Sequence, residues 1–213
     1  MIRYNIIRIY QHFIGMSMNN VIHLKTPISV DDLLNLKIGD VTFISGVIFA
    51  LRDEAEKRIY QRLSKGKDLP MDLKNAVVFH SGPIVKRIDN DWKVIALGPT
   101  TTARTGVILT KVISLTGIRG IIGKGGIASK HIKDMKSRCV YFSFPGGAAA
   151  VGSAATIKVI RRYWQDLLEP VWELEVKNLG PLVVAIDIHG NNLYDLILRK
   201  ARSQLTRILN KLK

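Results

Sequence analysis

Ile118-Arg119-Gly120-Ile121-Ile122-Gly123-Lys124-Gly125-Gly126 is followed at a short distance by Cys139-Val140-Tyr141-Phe142-Ser143-Phe144-Pro145-Gly146-Gly147. Both read as short apolar runs closed by glycines, the mark of buried strands that end in turns. Between them, Ser129–Lys136 has helical spacing. Strand, glycine turn, helix and strand in that order predict an α/β layer structure. The same reading extends outward. Val41–Ala50 is a strand ending at Arg52-Asp53, and residues 53–64 follow as a charged helix with Ala55, Ile59, Tyr60 and Leu63 on its inner face. Short buried strands are expected at Ala76–His80 and Lys93–Leu97. The second ends at Gly98-Pro99, ahead of a helix over Val107–Leu115 with Val107, Leu109 and Val112 or Ile113 facing inward.

Upstream, Thr26-Pro27-Ile28-Ser29 sets an extended lead-in, Ser29 caps a short helix through Asp32 and Leu36, and Lys37-Ile38-Gly39-Asp40 turns into the first long strand. Downstream, Ala148–Ala155 is expected to begin a helix. Trp172–Val176 and Leu182–Ile188 are expected to pair as two strands around Asn178-Leu179-Gly180-Pro181. Leu193–Lys213 reads as a basic amphipathic helix with Leu196, Leu205 and Leu209 among its apolar positions. Residues 1–17 read differently: Ile2, Ile6, Ile9 and Phe13 recur at helical spacing with Arg3 and Arg8 and no acid. A basic targeting stretch and a translated leader ahead of a start at Met16 or Met18 both fit. The leader is favoured because no signal-peptide cleavage pattern follows. Residues 18–213 then form a single α/β domain with residues 1–17 as an extension.

Composition bounds the function. The 213 residues are 47% hydrophobic and 23% charged, too apolar for a disordered chain. The apolar runs are short, so no helical membrane span is expected, and the chain reads as soluble. With 32 basic and 17 acidic residues the net charge is +15. That excess points to a polyanion, small anionic ligands or an acidic partner protein. The single cysteine, Cys139, excludes an internal disulfide and a cluster site built from this chain's thiols, and a reducing cytosol fits best.

Chemistry concentrates at the strand ends. Gly98-Pro99-Thr100-Thr101-Thr102-Ala103-Arg104, Gly123-Lys124-Gly125-Gly126 and Pro145-Gly146-Gly147-Ala148 are all strand-to-helix junctions. In α/β proteins, ligands collect outside the carboxyl ends of strands. Glycines admit backbone N–H groups to an anion, and Thr100, Arg104 and Lys124 add hydroxyl and charged donors. Arg52 at the end of the first long strand supplies another guanidinium. The set suits a small ligand with carboxylates. The plainer readings are that each glycine pair is only a turn and that Arg52 and Asp53 belong to structural ion pairs. No junction has the phosphate-loop or dinucleotide spacing. His12, His23, His80, His131 and His189 lack metal-ligand spacing and read as structural or solvent-exposed. The C-terminal basic helix suits RNA poorly, because Tyr194 is its one aromatic residue.

These same junctions resemble a known family: the beta subunit, or C-terminal domain, of class I iron–sulfur fumarases and L-tartrate dehydratases. The matching stretches are Thr26-Pro27-Ile28, Lys37-Ile38-Gly39-Asp40, Ser45-Gly46 to Arg52-Asp53, His80-Ser81-Gly82-Pro83-Ile84, the three junctions, and Asp187-Ile188-His189-Gly190-Asn191-Asn192. The resemblance implies a swivelling β/β/α fold and reversible addition of water across a dicarboxylate double bond. It implies that Arg52, Arg104 and Lys124 bind substrate, that Lys124 also takes part in catalysis and that Thr100 is the base or positions substrate. It further implies a partner alpha subunit holding a [4Fe–4S] cluster, with no metal on this chain and a cytoplasmic location. Where family members often have Ala-His after the Arg-Asp pair, this chain has Ala55-Glu56. Fumarate is the first expected substrate, and tartrate or another 2-hydroxy-diacid the second. A basic nucleic-acid-binding protein without chemistry is the rival class.

Overall fold

The computed structural model describes residues 21–89, 91–147 and 156–211, so the expectations for residues 1–17 and for a helix starting in 148–155 lie outside the described residues. Nine strands are described: β1 (Val21–Lys25), β2 (Val41–Leu51), β3 (Val77–His80), β4 (Ile84–Ile88), β5 (Asp91–Ala96), β6 (Gly120–Gly123), β7 (Val140–Ser143), β8 (Thr156–Tyr163) and β9 (Val171–Ile186). The helices are α1 (Val30–Leu34), α2 (Asp53–Leu63), α3 (Gly106–Thr116), α4 (Ser129–Met135) and α5 (Leu193–Lys211), with a 3₁₀ turn over Thr102–Thr105.

Seven strands form one sheet in the order β1-β2-β3-β6-β7-β9-β8, and β2 also pairs with β9. β1, β2, β3, β6 and β7 run parallel, while β9 runs antiparallel to β2, β7 and β8. The β2–β9 pairing therefore closes a ring through β3, β6 and β7. Side chains alternate across these strands. Val77, Phe79, Ile122, Val140 and Phe142 enter a core shared with β1, β2 and β9. Val78, Ile121 and Tyr141 enter a second core with Ala55 and Ile59 of α2, Leu109 and Val112 of α3, and Met135 of α4. Strands buried on both faces read as continuous apolar runs, which is why their sequence signal is strong.

The cap on α1 forms as expected: the Ser29 hydroxyl accepts from the Asp32 amide at 3.1 Å, and the Asp32 carboxylate accepts from the Ser29 amide at 2.8 Å. Three expectations are corrected. Residues 172–176 and 182–188 are not two paired strands, because 171–186 is one strand. Its register against β2 shifts where Ile44 faces Leu179 and Thr42 faces Leu182. Gly180, at φ +156, lies in that shift, so the Gly-Pro makes a bulge that bends the strand where a hairpin turn was expected. The strand near 93–97 is not buried: β5 pairs only with β4 in a hairpin most of whose residues are exposed. Val107 is 54% exposed, leaving Leu109, Val112 and Ile113 as the inner face of α3. β8 was not expected, and α5 is exposed over its last two thirds, with Leu205, Ile208 and Leu209 uncovered.

Candidate active site

The parallel strands β2, β3, β6 and β7 share one direction, so their carboxyl ends lie side by side. That places Arg52, His80, Lys124 and the turn after β7 at one edge of the sheet. The Gly98–Arg104 segment returns from the β4–β5 hairpin to the same edge. Its backbone is locked there: the Thr100 amide donates to the His80 carbonyl at 2.7 Å, Lys124 N–H donates to the Thr100 carbonyl at 3.1 Å, and Thr102 N–H donates to the Lys124 carbonyl at 3.2 Å. Thr101 and Lys124 form a parallel bridge that prolongs β6. The local cause is sequence: Gly-Pro ends the extended run, and Thr100 and Thr101 favour an extended backbone before the 3₁₀ turn that Thr102 opens.

Thr100 and Lys124 are thereby adjacent. The Thr100 hydroxyl donates to the His80 carbonyl at 3.0 Å, which leaves its oxygen lone pairs unused. The Lys124 side chain runs toward the turn after β7, with its Cδ 3.7 Å from where a Cβ on Gly146 would lie. Arg104 sits in the 3₁₀ turn, half exposed, with Nη2 3.8 Å from Asp53. Arg52, at the N-cap of α2, is half buried and its guanidinium is bound by the Glu169 carboxylate from the β8–β9 loop. Gly82 makes room for that pair, because a Cβ there would lie 3.0 Å from Glu169 Oε1 and 3.3 Å from Arg52 Cδ.

The site thus gathers Thr100, Arg104 and Lys124 around one backbone knot, with Arg52 on the neighbouring strand end. Arg52 and Arg104 are the predicted residues already paired with carboxylates, Arg52 with Glu169 and Arg104, more loosely, with Asp53. Sequence reasoning missed Glu169, which sits 117 positions from Arg52 with no local signal. It also missed Glu56, His80, Thr102 and Tyr141, which lie buried beneath the knot. The Tyr141 hydroxyl donates to the Gly125 carbonyl at 2.8 Å, and burial pushes its phenol well above the usual range. Tyr141 therefore holds the Gly123–Gly126 turn as a neutral donor. Burial likewise pushes the Cys139 thiol up, so it stays protonated and inert. Among the described residues, no three His, Cys, Asp or Glu side chains gather as a metal site. Two surface hollows of 460 and 520 Å³ lie instead by the far ends of α2 and α3, against the 68–74 loop and the β8–β9 turn.

A family model described as Fumarase C-terminus matches residues 9–197, most of the chain. This chain belongs to the fumarase C-terminus family. It is similar to a Methanocaldococcus jannaschii protein provisionally named L(+)-tartrate dehydratase subunit beta, 38% identical over 84% of this chain and 93% of that one. The Escherichia coli L(+)-tartrate dehydratase subunit beta is 33% identical over 80% of this chain and 85% of its own length. A Geobacillus stearothermophilus protein provisionally named class I fumarate hydratase is 34% identical over 90% of this chain, which spans 37% of that longer protein. Fumarase C-terminus relatives thus occur both as separate beta subunits and as part of a longer chain. The four-junction edge lies wholly inside the matched segment of the family. Among the described residues, no helix is long and apolar enough to cross a membrane.

Proposed function

We propose that this chain is the beta subunit of a hydro-lyase that reversibly hydrates fumarate to L-malate. In this reading it acts in the cytosol together with an alpha subunit that holds a [4Fe–4S] cluster. The observation that supports it is the backbone pairing of Thr100–Thr102 with Lys124, which sets Thr100 and Lys124 side by side at one strand end with Arg104 in the turn that follows. The residues of this chain do not fit the cluster: its one thiol is fully buried and protonated, on the helix side of the sheet. The cluster is therefore assigned to the partner, and no step is derived through it. The swivelling β/β/α arrangement belongs to the same reading, the closed ring of strands with α2, α3 and α4 on one side being compatible with it.

Arg104 and Lys124 bind the substrate carboxylates. Arg52 joins them when its guanidinium exchanges Glu169 for substrate, a swap of one carboxylate for another. Removing a proton from the carbon beside a carboxylate in the dehydration direction builds negative charge on that carboxylate. Cations already fixed at the strand ends stabilise the charge without reorganising. Thr100 Oγ stands at the bend of the loop, its hydroxyl donating to the His80 carbonyl. To act as base it first gives that proton to solvent, and the alkoxide then takes the carbon-bound proton. An alcohol is a weak base, and nearby Lys124 and Arg104 favour its ionised form. In hydration the same proton returns to carbon.

The names of the relatives favour a second reading, L(+)-tartrate dehydration, by the same cationic site. The deciding experiment is oxygen-free purification of the chain with its alpha subunit, followed by fumarate hydration and tartrate dehydration assays. Lys124→Ala is expected to lower kcat/KM by about 10²–10³-fold, the effect of one lost transition-state donor. Turnover of tartrate alone selects the second reading. An assembled, cluster-loaded enzyme that turns over neither substrate refutes both, and turnover that collapses on nuclease treatment favours the nucleic-acid class.

A further inference from the structure

Beneath the exposed site lies a polar chain that the proposed chemistry does not use. Glu56 and His80 are buried, at 1% and 3% exposure, and Glu56 Oε1 lies 2.7 Å from His80 Nε2. The other ring nitrogen, Nδ1, lies 3.0 Å from Thr102 Oγ1. Thr102 Oγ1 in turn is 3.3 Å from the Tyr141 hydroxyl, which donates to the Gly125 carbonyl. One line of side chains therefore joins α2, the end of β3, the 3₁₀ turn, β7 and the turn after β6. These elements carry Arg52, Arg104 and Lys124, and Thr100 lies two residues before the 3₁₀ turn. Glu56 Oε1 and Oε2 and His80 Nε2 are all buried with no aligned hydrogen-bond partner among the described residues, so Glu56 meets His80 as a close polar contact and not as a hydrogen bond. A buried carboxylate is costly to desolvate, and an apolar side chain on this inner face of α2 would pack without that penalty. Gly123 makes the line possible, because a Cβ there would lie 1.9 Å from Thr102 Oγ1.

His80 holds the catalytic loop twice. Its carbonyl takes both the amide and the hydroxyl of Thr100, and its ring takes Thr102 two residues later. Glu56 abuts that ring on the opposite side, 2.7 Å from Nε2. We propose that Glu56 and His80 are positioning residues: the carboxylate orients the imidazole, and the imidazole, through Thr102, sets where Thr100 and Arg104 stand relative to Lys124. Neither reaches substrate. The inference deepens the hydro-lyase reading and rests on it for the meaning of the loop's position.

Its test uses near-isosteric variants, Glu56→Gln and Thr102→Val, with Thr102→Ser as the conservative partner, each checked by thermal melting. In the assembled enzyme, both are expected to lower kcat by about 100-fold, the effect of displacing a reacting group by roughly an ångström. Thr102→Ser should restore kcat to within about threefold of wild type. The double variant should fall no further than the worse single one, because the two residues act in series. Retention of kcat by both single variants, or losses that multiply in the double variant, overturns the proposal. A second readout needs no partner and no activity: ¹⁵N NMR of the chain alone. Glu56→Gln should shift the His80 ring nitrogens and the amides of Thr100, Thr101, Arg104 and Lys124, leaving the β4–β5 hairpin unmoved. If the loop amides do not shift, positioning is refuted, even where the assembled enzyme turns over no dicarboxylate and the functional reading itself has failed.

Discussion

Gly123 shows how tightly the site's floor is specified. Its Cα faces the Thr102 hydroxyl so closely that no side chain fits between them. Gly123→Ala must push the 3₁₀ turn off β6 or break the Thr102 contacts. We expect about 1–3 kcal/mol of destabilisation, the usual cost of overpacking, read as a lowered urea midpoint at unchanged m-value. Glu169 is the counterpart on the open side. Because it occupies the Arg52 guanidinium, substrate must displace it if Arg52 is to bind a carboxylate. A half-exposed ion pair contributes about 0–1 kcal/mol, so Glu169→Ala should lower KM by up to about fivefold with kcat unchanged. A raised KM would instead make Glu169 a support that keeps Arg52 in place.

Among the elements, α1 is the one whose stability rests most visibly on local chemistry. Five residues are too few to hold a helix alone, and the reciprocal Ser29–Asp32 bonds satisfy two of its unpaired amides. Ser29→Ala should cost about 1 kcal/mol. The Ser29 hydroxyl and then its amide, by donating to Asp32, hold that carboxyl below its usual value. A carboxyl lowered in the folded state stabilises above its unfolded pKa and ceases to as pH falls through the folded one. The gap between wild type and Ser29→Ala in denaturant midpoint should therefore be widest near neutrality and shrink in acid. A gap that stays constant with pH would remove the carboxylate from the account. The α5 helix is the opposite case. Its first turn is tied down, with Tyr194 bonded to Ser143 and Asp195 to Ser129, while its later apolar positions face outward.

The +15 charge acts on the molecule as a unit. Few of its cations are matched: among the described residues, ion pairs within 4 Å engage Arg52, Arg58 and Arg104. The rest repel one another, and compaction brings them closer than they are in the unfolded chain. Raising ionic strength from about 10 mM to about 150 mM shortens the screening length from roughly 30 Å to 8 Å. The melting temperature should therefore rise with a salt such as sodium chloride over that range. A melting temperature that is flat or falls would mean that attractive pairs outweigh the repulsion. A strongly basic molecule also attracts anions from a distance, so in the proposed reading encounter with a dicarboxylate should be faster at low salt.

What the sequence determined by itself was what depends on neighbours along the chain. Buried strands ending in glycine turns announced the α/β class, Ser29 three residues before Asp32 announced a cap, and Thr100, Arg104, Lys124 and Arg52 were legible because each follows a strand end. Parallel strands put those ends along one edge, so the locally read residues lie near one another in the fold. The structure alone decided what depends on closure across the sheet. Residues 171–186 form one strand because β2 pairs with them along their length, a contact no turn signal reveals, and the Gly180-Pro181 pattern suits a bulge as well as a hairpin. The 93–97 run is as apolar as a core strand, yet it stands in an exposed hairpin because β4 is its only partner. Glu56 stood out in the sequence only as a departure from the family's Ala-His, and its burial against His80, 24 positions later in the chain, is decided by the fold. Position along the chain sets turns and caps through bonds a few residues long. Which buried polar groups meet is set by where distant strands place them, and that is known only once the ring has closed.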